Sequence, residues 1–411
     1  MNSISQAFSE AQSHHARGEL AQAETIYRQI LATDPWHGDT LHSLGVLVLG
    51  TGRAPEAVQM IEQAVAIDPA NVRYRGNLGA AYWGARRFED ARMALEQAIR
   101  DDPTYVEAYY NLGVSFSDLG RIAEAESAYR CCLQLVPAHS TALNNLGNML
   151  REQGRLDEAA AYLEQAVAAD PGFVQAHYNR AVVWLTQGRF AEGWAEYEWR
   201  WRCAEFPRRY PDRPQWDGRP LPGATLLLHA EQGLGDTLQF VRYLPLVRQR
   251  APRVLLEIQS GLIPLLHTAG IGPLVAQGAA PPPFDVCLSM ASLPGVLGTT
   301  LETIPAAVPY LRAQRELAAA WRSHLGRYQA FKIGIAWQGN PKYREDRYRS
   351  IPLAAFAPLA AVDGVQLFSL QKGPGSEQLP ALKGPLGIVD LGSNLDAATG
   401  PFMDTAAIMQ S

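Results

Sequence analysis

A short apolar run ending at His229 leads into Ala230-Glu231-Gln232-Gly233-Leu234-Gly235-Asp236-Thr237, and here the residue types could do chemistry. Gly233 and Gly235 allow a sharp backbone turn that brings amides close to a ligand, and a helix starting there would favour negative charge at its first turn. Asp236 stands where a carboxylate caps such a helix. A dinucleotide fingerprint would need a third glycine at position 238, which is Leu238, so dehydrogenase chemistry is disfavoured. His229 and Glu231 have no third partner for a metal, so the sequence predicts no metal and no cofactor, with His229 as a hydrogen-bonded pocket residue.

Two further groups stand out. Lys342, Arg344, Arg347 and Arg349 run into Ser350-Ile351-Pro352, which reads as the start of a helix, and Lys372 follows an apolar run in Leu370-Gln371-Lys372-Gly373. Fixed cations beside a helix N-terminus favour an anion, while the intervening Glu345 and Asp346 leave open a solvated charged loop. Ser43, Asn77, Asn111, Asn145 and Asn179 recur 34 positions apart. A primary amide carries donor and acceptor and can hold an extended peptide backbone whatever its sequence; the alternative use is hydrogen bonding between neighbouring repeats.

The elements that position these residues follow from the same period. Pro35, Pro69, Pro103, Pro137 and Pro171 are 34 apart, as are Ala23, Ala57, Ala91, Ala125 and Ala159, with Leu-Gly at 44–45, 78–79, 112–113 and 146–147. Small residues at fixed places, large ones between them and a closing Asp-Pro describe stacked helix pairs that share one core. The pattern resembles the tetratricopeptide repeat (TPR) family. That resemblance implies an α-helical solenoid of about six helix pairs over residues 1–203, with the amide row along its concave groove as the site for a protein or peptide partner. The row also resembles the asparagine ladder of the O-GlcNAc transferase family. The sixth unit departs from the pattern, and Trp194, Tyr197, Trp199 and Trp201 are expected to cap the solenoid's end.

A net charge of −5 argues against general nucleic-acid binding. Cys131, Cys132, Cys203 and Cys287 show neither metal spacing nor a disulfide framework, and Cys132 takes a small-residue slot that predicts a buried thiol. With no charged-then-apolar leader and no run of 18 apolar residues, the expectation is no membrane span and a cytoplasmic location. Residues 204–222 are rich in Pro and Arg and read as a linker or a wrapping segment. Beyond them short apolar runs alternate with helical stretches, an α/β signature. Strands are predicted at 225–228, 254–258, 285–288, 332–336, 365–370 and 388–390. They form Rossmann-like lobes over 223–313 and 331–411, joined by a helix within 314–330.

The loop from Gly233 to Asp236, the segment Gly298-Thr299-Thr300-Leu301-Glu302-Thr303-Ile304-Pro305 and the stretch from Ile333 through Asn340 to Arg349-Ser350-Ile351-Pro352 resemble glycosyltransferases of the lipopolysaccharide heptosyltransferase type. More closely, they resemble bacterial proteins in which TPRs precede such a domain. The resemblance implies a two-lobed GT-B fold that takes a nucleotide sugar as co-substrate. It places Asp236 as general base and Arg349 at the nucleotide phosphate, with Gly233, Gly235, Lys342, Arg347 and Lys372 around the substrates. The family continues past Asp404 into a nucleotide-gripping motif that this chain does not reach, so the second lobe is expected to be incomplete and sugar transfer by these 411 residues weak or absent. Two functions are expected: sugar transfer to an acceptor presented by the repeat groove or, alternatively, a protein-binding scaffold whose transferase half is inactive.

Overall fold

The computed structural model describes residues 3–342, 346, 349–393 and 395–411; Arg344 and Arg347 of the cationic loop lie outside them. The chain divides into two compact units, Met1–Gln187 and Gly188–Ser411.

The first unit is built of helix pairs: α1 (Ile4–Ala16) with α2 (Leu20–Thr33), α3 (Gly38–Gly50) with α4 (Ala54–Ile67), α5 (Val72–Gly84) with α6 (Phe88–Asp101), α7 (Val106–Asp118) with α8 (Ile122–Leu135), and α9 (Ser140–Glu152) with α10 (Leu156–Ala169), followed by α11 (Val174–Thr186). The recurrent Leu-Gly marks the closest approach within a pair. A Cβ on Gly45 would lie 2.4 Å from Ile61 Cγ1, and one on Gly147 2.7 Å from Leu163 Cγ. The recurrent alanines from Ala23 to Ala159 are fully buried.

Each pair turns at a left-handed residue. Glycine fills this place at 18, 52, 120, 154 and 188, whereas the third pair uses Arg86 at φ 61°. Asp34, Asp68, Asp102 and Asp170 end their helices by accepting the amide two residues on, at 3.1, 3.2, 2.8 and 2.9 Å. The Asp-Pro signature is therefore an Asx turn that leads into the next repeat.

The second unit opens with α12 (Phe190–Tyr197). Rather than ending the first unit, its aromatics pack inside the second: Trp194 meets Phe240 edge-on, with ring centroids 6.4 Å apart. The segment 204–222 wraps the sheet. Trp216 N–H donates to Cys287 O (2.9 Å), Cys287 N–H donates to Pro214 O (3.0 Å), and Trp216 is buried.

Two parallel sheets follow. The first has the order β3-β2-β1-β4, from β1 (Thr225–His229), β2 (Arg253–Ile258), β3 (Leu274–Ala276) and β4 (Val286–Ser289). The second has the order β5-β6-β7, from β5 (Phe331–Ile335), β6 (Val365–Ser369) and β7 (Val389–Asp390). Helices α13 (Leu234–Phe240), α14 (Leu244–Arg250), α15 (Ile263–Thr268), α16 (Leu293–Val296), α17 (Arg315–Leu325), α18 (Ala357–Ala360), α19 (Leu379–Leu382) and α20 (Met403–Met409) connect and flank them. Leu226, Leu227 and Leu228 are all buried, so β1 is covered on both faces, as its uninterrupted apolar run requires. The strand β3 carries no comparable apolar run, and the sequence reading has none there. The helix expected after Ser350-Ile351-Pro352 begins at Leu353, as a 3-10 turn over Leu353–Phe356 capped by Pro352.

Candidate functional site

The carboxyl edge of the first sheet carries His229, Glu257 and Ser289 in one register, all three buried. Two arginines from the preceding segment clamp the carboxylates at this edge. Arg200, with no exposed surface, donates to both oxygens of Glu231 at 2.8 and 2.9 Å, to Glu198 Oε1 at 2.7 Å and to Ser292 Oγ at 2.7 Å. Arg209 makes a second bidentate pair with Glu257, which also accepts from the Tyr210 hydroxyl at 2.8 Å. Burial raises the Glu198 carboxyl, but the Arg200 charge and hydrogen bond outweigh it and hold the group below its ordinary value. His229 differs from the sequence expectation. Its Nδ1 is buried with no hydrogen-bond partner among the described residues, and its ring packs edge-on to Tyr210. Burial pushes its pKa below the ordinary value, so it stays neutral.

The glycine loop hangs from this network. Gln232 Nε2 donates to the Tyr197 hydroxyl (2.6 Å), and Gln259 bridges Gln232 O (2.9 Å) and the Thr237 hydroxyl (2.8 Å). Gly233 and Gly235 are exposed at the start of α13. Asp236, half-buried, accepts the Gly233 N–H at 2.8 Å, which is the work of a helix cap. Of Arg200, Tyr197 and Gln259, which fix this loop, only Tyr197 is marked in the sequence, as part of the aromatic run; the only hint of Arg200 is its place among the tryptophans.

At the carboxyl edge of the second sheet, buried Gln371 ties two loops together. Its Oε1 accepts from the Trp337 and Gln338 amides at 2.9 and 3.1 Å, and its Nε2 donates to Gln338 O and Pro374 O at 3.0 and 2.7 Å. This presents the exposed Lys372, whose Nζ donates to Leu395 O at 2.5 Å, at a cavity of about 380 Å³ that is also lined by Ser376, Lys383, Asp390 and Ser393. Arg349 does not line that cavity; its Nε lies 3.4 Å from Oδ1 of buried Asp346. Lys342 is exposed, and Arg347 lies outside the described residues.

In the repeats the amide row is engaged from one repeat to the next. Asn77 Nδ2 lies 2.7 Å from His42 Nε2, Asn145 Nδ2 donates to the Tyr110 hydroxyl at 3.5 Å, and Asn179 Nδ2 donates to Asn144 Oδ1 at 2.9 Å. Each link spans 35 residues. Asn179 is buried, whereas Ser43, Asn77, Asn111 and Asn145 are half-buried, and the Asn111 side chain makes no hydrogen bond among the described residues. His42 stacks on Tyr74, and burial pushes its pKa down to about 4.

Among the described residues no cluster of three His, Cys, Asp or Glu could hold a metal, and no helix is long and apolar enough to cross a membrane.

Residues 3–201 match the family model described as Cilia and flagella-associated protein 70 C-terminal domain. The chain is similar to Protein FlbA of Caulobacter vibrioides (strain ATCC 19089 / CIP 103742 / CB 15), at 26% identity over 265 residues, which are 56% of this chain and 44% of the relative. The match thus spans less than half the length of that curated relative. Similar solved structures include MamA (25% identity, 39% of this chain and 94% of that one, TM-score 0.35) and a thermophilic TPR protein in Thermus thermophilus (23% identity, 44% and 100%, TM-score 0.41). The N-terminal half of the chain is a tetratricopeptide-repeat solenoid.

Proposed function

We propose that this protein is an interaction scaffold whose repeat helices hold an extended segment of a partner protein. The observation that carries this reading is the row of polar side chains at one register of successive first helices, half-buried at Ser43, Asn77, Asn111 and Asn145. The inter-repeat hydrogen bonds of Asn77 and Asn145 use one amide function each and set those two side chains in fixed orientations, which lowers the entropy lost when a peptide backbone binds. Selection of a displayed peptide library on the full chain tests it. Enriched peptides are expected to bind with micromolar Kd and to lose at least about tenfold with Asn77→Ala, Asn111→Ala and Asn145→Ala combined, at unchanged helicity. No enrichment, or binding indifferent to the triple variant, removes the reading.

A second reading, sugar transfer from a nucleotide-sugar donor on a two-lobed GT-B frame, is favoured by the cavity beside Lys372 and Lys383 at the strand ends of the second sheet. In it Asp236 would serve as base on an acceptor in the first lobe (223–313). Gly233, Gly235, Lys342 and Lys372 would face the acceptor and the donor phosphates, with residues 331–411 as the nucleotide lobe and 314–330 as the connector. Binding of uridine, guanosine or adenosine diphosphate by the chain, lost in Lys372→Ala, supports it; absence of nucleotide binding leaves the scaffold alone.

A further inference from the structure

The second unit holds another cavity, of about 380 Å³, lined by neither the glycine-loop residues nor Lys372. Three stretches wall it: residues 190–201 with Phe190, Trp194 and Trp201, the wrapping segment with Arg208, Gln215 and Trp216, and residues 288–300, from β4 through α16 to the loop beyond it. Gly295 lets Trp194 close in, since a Cβ there would lie 3.1 Å from Trp194 Cβ. Two residues of the aromatic run read from sequence as a cap, Trp194 and Trp201, thus line a cavity.

Charge narrows the occupant. Glu198 is the one carboxylate in the lining, and it is already used: Oε1 accepts from Arg200 (2.7 Å) and Ser292 (2.8 Å), Oε2 from the Trp201 indole (2.8 Å). Trp201 in turn carries the Arg200 guanidinium at 4.1 Å and that of Arg208 at 5.5 Å. A cationic ligand would meet these guanidinium groups and find no unsatisfied anion, so the cavity is not a cation cage. What remains is apolar surface at Phe190 and the Trp194 indole, whose N–H is buried without a hydrogen-bond partner among the described residues, and two further polar side chains with spare capacity. Arg208 makes no hydrogen bond or ion pair among the described residues, and the Gln215 side-chain oxygen accepts none. Flat apolar faces edged by hydrogen-bonding groups match a pyranose ring, whose C–H faces are apolar and whose edge is hydroxylated. The volume lies at the lower end of the range of about 300–1,000 Å³ for small-molecule sites.

We propose that this cavity binds a saccharide, with a pyranose ring on the indole surface and its hydroxyls on Arg208 and Gln215. The site uses none of the amide-row residues and none of the groups at Lys372, so its test is separate from those of both functional readings.

The test is titration of the full chain with glucose, galactose, N-acetylglucosamine and glucuronic acid, followed by indole fluorescence and ligand-observed NMR. At least one of the four is expected to bind with Kd of about 1 mM or tighter, and Arg208→Ala to weaken it at least about tenfold. Ala195→Trp, at an exposed lining position, fills the cavity without removing core, so it is expected to abolish binding while far-UV circular dichroism stays unchanged. No binding by any of the four sugars, or binding untouched by both variants, overturns the proposal.

Discussion

The two units use the same pair of residue types, arginine and carboxylate, in opposite ways. In the repeats an arginine stands before the second helix of each pair from the second to the fifth, at 53, 87, 121 and 155, and reaches acidic partners on its own and preceding repeats. Arg53 meets Glu24 at 2.6 and 2.9 Å and Glu56 at 3.4 Å, and Arg155 meets Glu126 and Glu158 at 2.8 and 2.7 Å, all at least partly in solvent. In the second unit Arg200 has no exposed surface, and its partner Glu231 keeps only 7% of its side chain exposed. Solvent decides what each pair is worth. Exposed pairs contribute little and are repeated; the buried pairs are few, and each ties a preceding segment to the carboxyl edge of the first sheet.

The largest break in that comparison is Arg200→Ala. It strands Glu231 in a buried site without its cation, and the expected loss is about 3–5 kcal/mol from the second unit. In thermal unfolding followed by tryptophan fluorescence, the second-unit transition is expected to fall steeply while the far-UV signal of the repeats is retained. Combining Arg200→Met with Glu231→Gln removes the stranded charge and is expected to recover about half of that loss. A single Arg200→Ala variant with wild-type melting would show that the clamp does not hold the loop.

How much of this could be read in the sequence follows the same division. The solenoid was legible because a 34-residue period puts each residue in an environment repeated five times, so Gly45, Gly79, Gly113 and Gly147 announce a close helix approach without any structure. The strand ending at His229 was legible because burial on both faces demands a continuous apolar run, and the one ending at Ile258 because Val254-Leu255-Leu256 repeats that signal in shorter form. The clamps were not, because Arg200 and Glu231 are 31 residues apart in segments with no shared period. Proline and arginine density marked residues 204–222 as a linker or a wrap, but pattern alone could not show that Trp216 is buried against the sheet. The amide row was legible as a period, but its hydrogen bonds depend on a 35-residue offset between repeats, visible only once the helices are stacked.

A smaller effect tests the regularity of the repeats. Arg86 occupies the left-handed turn position that glycine holds in the other pairs, at φ 61°. A side chain there costs about 1–2 kcal/mol relative to glycine, partly offset by the greater freedom glycine has in the unfolded chain. Arg86→Gly is expected to stabilise the repeat unit by about 0.5–1 kcal/mol in urea unfolding at unchanged m-value. A loss of stability would mean that the Arg86 contact over the Phe88 ring, 5.9 Å from its centroid, matters more than the backbone.

The smallest expected effect is Arg53→Ala, the exposed counterpart of the Arg200 experiment. Arg53, by hydrogen bond, is the main cause that holds the Glu24 carboxyl down at about 2, against an ordinary value of 4.5. Because the folded value is the lower one, the pair's contribution is complete above about pH 4.5 and is lost as the pH falls from there through about 2. At neutral pH the pair is worth about 0.2–1 kcal/mol, since solvent and salt screen it. Arg53→Ala should therefore lower repeat stability by no more than that at pH 7, and by a vanishing amount at pH 2. High salt should shrink the difference further at pH 7 while leaving the Arg200→Ala deficit nearly intact. Equal salt sensitivity of the two variants would erase the distinction between the units, because it would place Arg200 in the same solvent-screened setting as Arg53.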